Sequence, residues 1–251
     1  MKPTEYNIAS IPQFLELILH NPAVFWVYRG QGDVSWPLLP KAGRPEYFLA
    51  ATDFWEARGQ FSSDLGRFGH WRENAIAFCQ HLPENDFECL AFAQHYGLAT
   101  RLLDWTENSL VALYFAVEEQ SQTDGAVFCY FQSSIVDSEK ATFERLKQVA
   151  TYKPRPFDRR ILAQGGVFSY HPNPKIALEA KPLTEQENKF DSSGLDLIVI
   201  RISWKIKPAL KRMLNDIGIS RKILFPDLDG LSNFVNWETR RNAGFNKETS
   251  D

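Results

Sequence analysis

The stretch ECLAFAQHYGLATRLLDWTENSLVALYFAVEEQ, residues 88–120, reads as two helices with a short strand between them. The first helix runs through about His95. Gly97 is a natural stop, because a residue without Cβ accepts the left-handed backbone that ends many helices. Arg101 to Asp104 then reads as a strand. Beyond it, Leu110, Ala112, Leu113, Phe115 and Ala116 recur at helical core spacing, and Thr106 or Asn108 can cap this second helix through a side-chain oxygen. Asp104-Trp105-Thr106 therefore sits at a strand-to-helix junction.

Upstream, SIPQFLELILH reads as a helix over 10–20, capped by Ser10 and ended at Asn21-Pro22. AVFWVYRGQG (23–32) is a short run of strand formers that stops at Arg29-Gly30-Gln31-Gly32. Residues 33–47 read as loop, and Glu46 to about Phe78 as helix in two pieces broken near Gly66 and Gly69. Downstream, 125–131 is a strand, and a polar, helix-prone segment follows to about Tyr152. Residues 153–158 are loop, and RRILAQGGVFSY ends in a strand. Residues 171–194 are loop or edge structure, and LDLIVIRIS (195–203) is a strand. PALKRMLNDIG is a helix stopped by Gly218. The chain closes with a turn, a last helix and a frayed tail from about Asn246. Short strands scattered among helices, without regular βαβ alternation, point to one α+β domain with an antiparallel or mixed sheet.

Of 251 residues, 44% are hydrophobic and 24% charged, with 19 Phe, 8 Tyr and 7 Trp, enough for a sizeable core. A net charge of −3 argues against a protein that coats nucleic acid, though a local basic groove stays compatible with it. Cys79, Cys89 and Cys129 are an odd number without CxxC spacing, which favours reduced thiols over disulfides or zinc. The N-terminus lacks a signal pattern, and there is no apolar run of about 18 residues, so a cytoplasmic protein is expected. GxGxxG, P-loop, HExxH and GxSxG motifs are missing, which removes Rossmann dehydrogenase, NTPase, zincin and α/β-hydrolase readings. No metal site is expected.

Three segments, FWVYRGQ (25–31), LAFAQHYGLATRLLDWTENSLVALYFAV (90–117) and the pair ILAQGGVF (161–168) with LFPDLDG (224–230), together resemble the FRG domain family. The resemblance implies a single FRG domain over 1–251 with a core of about 22–235, in a bacterial, cytoplasmic protein. A more distant resemblance is to arginine-type ADP-ribosyltransferases. Their first motif is an arginine at a strand end, here Arg29 followed by Gly30. Their second is a strand leading into an Ala- and Phe-rich helix, here Asp104-Trp105-Thr106 and 108–117. Their third is a glutamate after a mobile loop, where this chain offers Gln164. That likeness implies a split sheet with helical insertions and NAD as substrate. It further implies mono-ADP-ribosyl transfer to a protein or nucleic acid, in a toxin or antiphage setting. Arg29, Gly30, Gln31, His95, Tyr96, Arg101 and Trp105 would then bind NAD, with Asp104, Thr106 and Gln164 in catalytic positions. Asp227 is a further candidate carboxylate.

The residues also carry plainer readings. Arg29 suits a phosphate or carboxylate, with the flanking glycines letting a ligand approach, or it pairs with Asp104. Gln31 binds the same ligand or satisfies a loop carbonyl. His95 is a helix C-terminal cap or a pocket residue. Arg101 pairs with Asp104 or Glu107 at the surface. Asp104 or Thr106 caps the following helix, while the Trp105 indole can stack on a planar ring. Asp227 and Asp229 suit turn and cap positions, and one such pair is too few oxygens for a calcium site. A non-catalytic nucleotide- or partner-binding module is the rival reading. A nucleic-acid-modifying enzyme using His95 and acidic residues is a second rival.

Overall fold

Seven strands form one mixed sheet among the described residues of the computed structural model, which are 5–19, 25–47, 63–119, 121–185 and 195–248. The strands are β1 (Glu5–Ile8), β2 (Trp26–Gln31), β3 (Leu102–Thr106), β4 (Gly125–Phe131), β5 (Ala150–Tyr152), β6 (Gly166–Tyr170) and β7 (Leu197–Ile202). Their order is β1-β7-β4-β2-β3-β6-β5. Only the β1–β7 pair is parallel. The helices are α1 (Ile11–Leu19), α2 (Asp64–Ala75), α3 (Asp86–His95), α4 (Ser109–Glu118), α5 (Arg159–Gln164), α6 (Lys207–Asp216), α7 (Arg221–Leu224) and α8 (Leu228–Glu248).

The sheet is central, so β4 is buried at all seven residues, which is why it reads as a continuous apolar run rather than an alternating one. On one face Trp26, Tyr28, Val127, Cys129, Ile198 and Ile200 pack with α1, α4 and α6. Farther along that face, Leu102, Phe168 and Tyr170 join Phe87, Cys89 and Leu90 of α3. The opposite face holds Val27, Leu103, Trp105, Phe128, Tyr130 and Val167 under Leu38 and Leu178. Each large apolar side chain fully buried in this way contributes roughly 1.5–3 kcal/mol.

Helix α4 lies unusually close to the sheet. A Cβ on Gly30 would stand 1.9 Å from the Ala112 carbonyl oxygen, and one on Gly125 would stand 2.3 Å from that of Ala116. Two glycines thus admit a helix that is apolar nearly all round. Asn108, not Thr106 or Asp104, caps it: Asn108 Oδ1 accepts from the Leu110 and Val111 amides. At the helix's other end, Lys207 Nζ donates to the Gly32 carbonyl at 2.5 Å, and Lys211 Nζ to the Glu118 carbonyl at 2.9 Å.

Two expectations need correction, and one strand was not expected. Helix α2 runs unbroken through Gly66 and Gly69; Ser63 Oγ caps it by accepting from Gly66 N, and Phe68 anchors it in the core. Residues 132–149 form bends, turns and a bridge at Ile135 rather than a helix, and the segment is held by its backbone bonds to Thr151. The strand β1 has no counterpart in the sequence reading. Of the helical stretch expected from Glu46, residues 48–62 lie outside the described residues, as does the tail beyond 248, while α8 runs on through Asn246 to Glu248, where fraying is expected. No described helix is long and apolar enough to cross a membrane.

Candidate functional site

Strands β2 and β3 are joined by a single registered pair, Tyr28 with Thr106, whereas β2 meets β4 over six pairs. The sheet is therefore open between these strands, and Arg29 reaches across the opening. Its Nη1 donates to the Asp104 carbonyl at 2.8 Å, and its Nε donates to Gln31 Oε1 at 3.1 Å. Gln31 is held in turn by its own Nε2, which donates to the Trp36 carbonyl at 2.9 Å.

Charge at this point is poorly compensated. The Arg29 side chain is only 17% exposed, while the Asp104 carboxylate lies 3.9 Å away and is 65% exposed. Asp104 Oδ1 is also taken by Gln94 Nε2 at 2.8 Å. A long contact to a hydrated carboxylate neutralises little. Burial lowers the affinity of the Arg29 guanidinium for its proton, Asp104 opposes this, and Arg44 adds to it. An arginine held in this way favours an incoming anion.

Behind the opening runs a buried chain. Trp105 Nε1 donates to Ser169 Oγ at 2.8 Å, and Ser169 Oγ lies 2.9 Å from His171 Nε2. Burial, reinforced by the charge on Arg29, lowers the His171 pKa to about 4, so its ring is neutral at pH 7. Trp105 is 4% exposed and its ring lies against Tyr130, so the indole forms floor and support rather than a free stacking surface. Thr106 Oγ1 donates to the Gln164 carbonyl at 2.5 Å and accepts from Asn108 N, tying β3 to α5. Gln164 ends α5, and its Nε2 donates to the Leu224 carbonyl at 2.9 Å.

Two hollows meet at Arg29. The smaller, about 300 Å³, takes in Arg29, Asp104, Trp105, Thr106, Gln164 and Phe225. The larger, about 470 Å³, runs along Arg29, Gln31, Trp36, Arg44, Glu46 and Glu119. Gly30 and Phe115 line both. Most of the residues proposed from the sequence are therefore gathered here, with three exceptions. His95 ends α3 and pairs with Asp158 at 3.5 Å, beside Phe157. Tyr96 is 67% exposed and packs on Phe92. Neither lines either hollow.

Arg101 is the third. It does not pair with Asp104 or Glu107 at the surface; both Nε and Nη2 donate to the Asp64 carboxylate at 2.7 Å, and Nη1 donates to Tyr170 and to the Pro172 carbonyl. Its fork is saturated by α2 and the loop after β6, which makes it a buried staple. Gly30, which lines both hollows, also lies against α4, where an added Cβ would meet the Ala112 carbonyl. Asp227 is a turn and cap residue: its Oδ1 accepts from Gly230 N at 2.7 Å, and its carboxylate also binds Arg160. Among the described residues no cluster of three or more His, Cys, Asp or Glu could hold a metal ion.

Sequence reasoning missed Trp36, Arg44, Ser169 and His171. Trp36 and Arg44 lie in a segment read only as loop, where an exposed aromatic and a cation among prolines were the available signal. His171 follows a strand that was recognised, but no pattern marks a histidine as buried.

No curated protein and no solved structure matches the chain. The family model of the FRG domain matches residues 25–125, the span that contains β2, α2, α3, β3 and α4; the 161–168 and 224–230 segments lie outside it. The opening between β2 and β3, with Arg29 on one side and Asp104 on the other, therefore lies within the span that matches the FRG domain.

Proposed function

We propose that this protein binds NAD across the two hollows and transfers its ADP-ribose to a protein or nucleic-acid acceptor. The observation that carries the reading is the place of Arg29: a mostly buried, poorly compensated cation where two hollows meet. A dinucleotide is a long ligand whose anionic diphosphate lies in the middle, with a ring system at each end. Arg29, with Arg44 nearby in the larger hollow, suits that middle. The smaller hollow, walled by Tyr28, Phe115 and Phe225, suits the nicotinamide.

In this reaction the bond between nicotinamide and ribose C1′ breaks, and nicotinamide leaves with the bonding pair. The acceptor's lone pair then forms the new bond to C1′, and its proton passes to solvent or a base. Holding both partners in line supplies most of the rate enhancement such a site can offer. Asp104, hydrated at the rim of the smaller hollow, is the carboxylate placed to stabilise positive charge developing on the ribose. Thr106 and Gln164 shape the pocket, since the Thr106 hydroxyl and the Gln164 amide are already committed to backbone carbonyls. An ADP-ribosyltransferase-like ancestry for the opened sheet belongs to the same proposal. Three free cysteines suit a reducing, cytoplasmic setting.

One observation favours the rival. Gln164 stands where the transferases carry a glutamate, and its amide is turned to Leu224. A non-catalytic nucleotide-binding module would keep the Arg29 hollows and need no carboxylate there. Incubating the protein with NAD labelled in the nicotinamide, together with cell lysate as acceptor, separates the two. Transferase activity releases nicotinamide, and Asp104→Asn slows release by roughly 10²-fold or more. Saturable NAD binding without release establishes the module.

A further inference from the structure

A separate cavity of about 450 Å³ lies between α4, α6, α7 and α8. It meets the larger Arg29 hollow only along Glu118 and Glu119. Its wall combines three kinds of side chain. Lys211, Arg221 and Arg240 bring cations from three different helices. Trp237 offers an indole, with Lys211 Nζ 5.6 Å from its centroid and Phe234 beside it at 6.2 Å. Asn215, Asn233 and Asn236 bring carboxamides, each with paired donor and acceptor capacity.

Much of the cationic capacity is unused. The Arg221 guanidinium binds Glu118 through Nη1, yet its buried Nε has no partner. The Lys211 ammonium gives one hydrogen bond to the Glu118 carbonyl and has two donors left. Among the described residues Arg240 makes no ion pair and Asn236 no side-chain hydrogen bond. Against these three cations stand Glu118, already bound to Arg221 and to the Tyr114 hydroxyl, and Glu119. The wall therefore carries a net positive charge, a planar ring and hydrogen-bonding amides in one cavity of small-molecule size.

We propose that this cavity is a second ligand site, for a nucleoside monophosphate. The cations take the phosphate, with Lys211 and Arg240 the ones not ion-paired with the Glu118 carboxylate. The indole of Trp237 stacks on the base, and Asn215 and Asn236 read its edge through paired donor and acceptor. The site does not depend on what the Arg29 hollows bind.

Calorimetric titration with AMP, GMP, CMP and UMP, and with the matching nucleosides and inorganic phosphate, tests it. At least one monophosphate should bind about tenfold or more tighter than its nucleoside and than phosphate, because ring and anion are both engaged. Trp237→Ala and Arg240→Ala, both on the outward part of α8, should each weaken that binding by about tenfold or more. Arg29→Ala should leave it unchanged within about twofold, because the two sites are separate. Absence of binding by all four at ~10 mM overturns the proposal. So does binding of phosphate alone with equal affinity. Binding abolished by Arg29→Ala but kept in Arg240→Ala also overturns it and leaves the Arg29 site standing, whereas failure of NAD to bind would not touch it.

Discussion

Replacing Gly30 by alanine asks whether that glycine serves a ligand or the fold. The added Cβ would stand 1.9 Å from the Ala112 oxygen, 2.6 Å from the Ala116 nitrogen and 2.9 Å from the Ala112 carbonyl carbon. Comfortable contacts between such atoms lie at about 3.5 Å, so α4 must lift from β2 by more than an ångström. The obstacle is backbone, which no rotamer change relieves. Overpacking typically costs about 1–3 kcal/mol, and a backbone obstacle places this substitution at the upper end, about 3 kcal/mol. Alanine's smaller unfolded-state entropy offsets only about 0.4–1 kcal/mol of that. For a chain of this size, about 2–4 °C per kcal/mol gives a fall in Tm of roughly 5–10 °C, measurable by scanning calorimetry. Lifting α4 also moves Phe115, so the variant should bind ligands at both Arg29 hollows more weakly. A Gly30→Ala protein with unchanged or raised Tm would refute the packing and return Gly30 to the role of a ligand's neighbour.

Asp64→Ala should destabilise by about 3–5 kcal/mol in urea titration, because it strands the buried Arg101 guanidinium. The double variant Asp64→Leu, Arg101→Met should recover most of that loss, and an Asp64→Ala protein of native stability would contradict the staple. His171 makes stability pH-dependent. Its folded pKa of about 4 lies below the ordinary 6.5, so the unfolded chain binds the extra proton first and stability falls as pH drops from about 6.5 to about 4. His171→Gln should flatten that limb by about 1.4 kcal/mol per pH unit; identical slopes in both proteins would place the imidazole in water instead.

What the sequence makes legible follows from where each segment lies. Strands β4 and β7 and helix α4 are central, so their apolar runs are long and announce themselves. β1 is only four residues on a sheet edge, with Glu5 and Asn7 among them, and its pairing to β7 is a long-range event that no local pattern records. Gly66 and Gly69 look like breaks because glycine weakens helices, yet the Ser63 cap and the burial of Phe68 outweigh that penalty. At the site, Arg29 and Asp104-Trp105-Thr106 stand out because motif and strand end coincide. The roles of Gly30 and Arg101 stay hidden, since each depends on a partner in another element: Ala112 for one and Asp64 for the other. His95 and Tyr96 adjoin the motif in sequence but point toward Phe157 and Phe92, away from the hollows.

The central claim is that Arg29 anchors a dinucleotide diphosphate. Arg29→Ala also removes the bonds to Asp104 and Gln31, so the informative quantity is the shift that NAD causes in each protein, not the starting Tm. At about 100 times its Kd, NAD should stabilise the wild type by about 2.7 kcal/mol, a rise in Tm of roughly 5–10 °C. That rise is expected in the wild type, and almost none in Arg29→Ala at the same NAD concentration. Equal rises in the two proteins, or no rise in either, would contradict it.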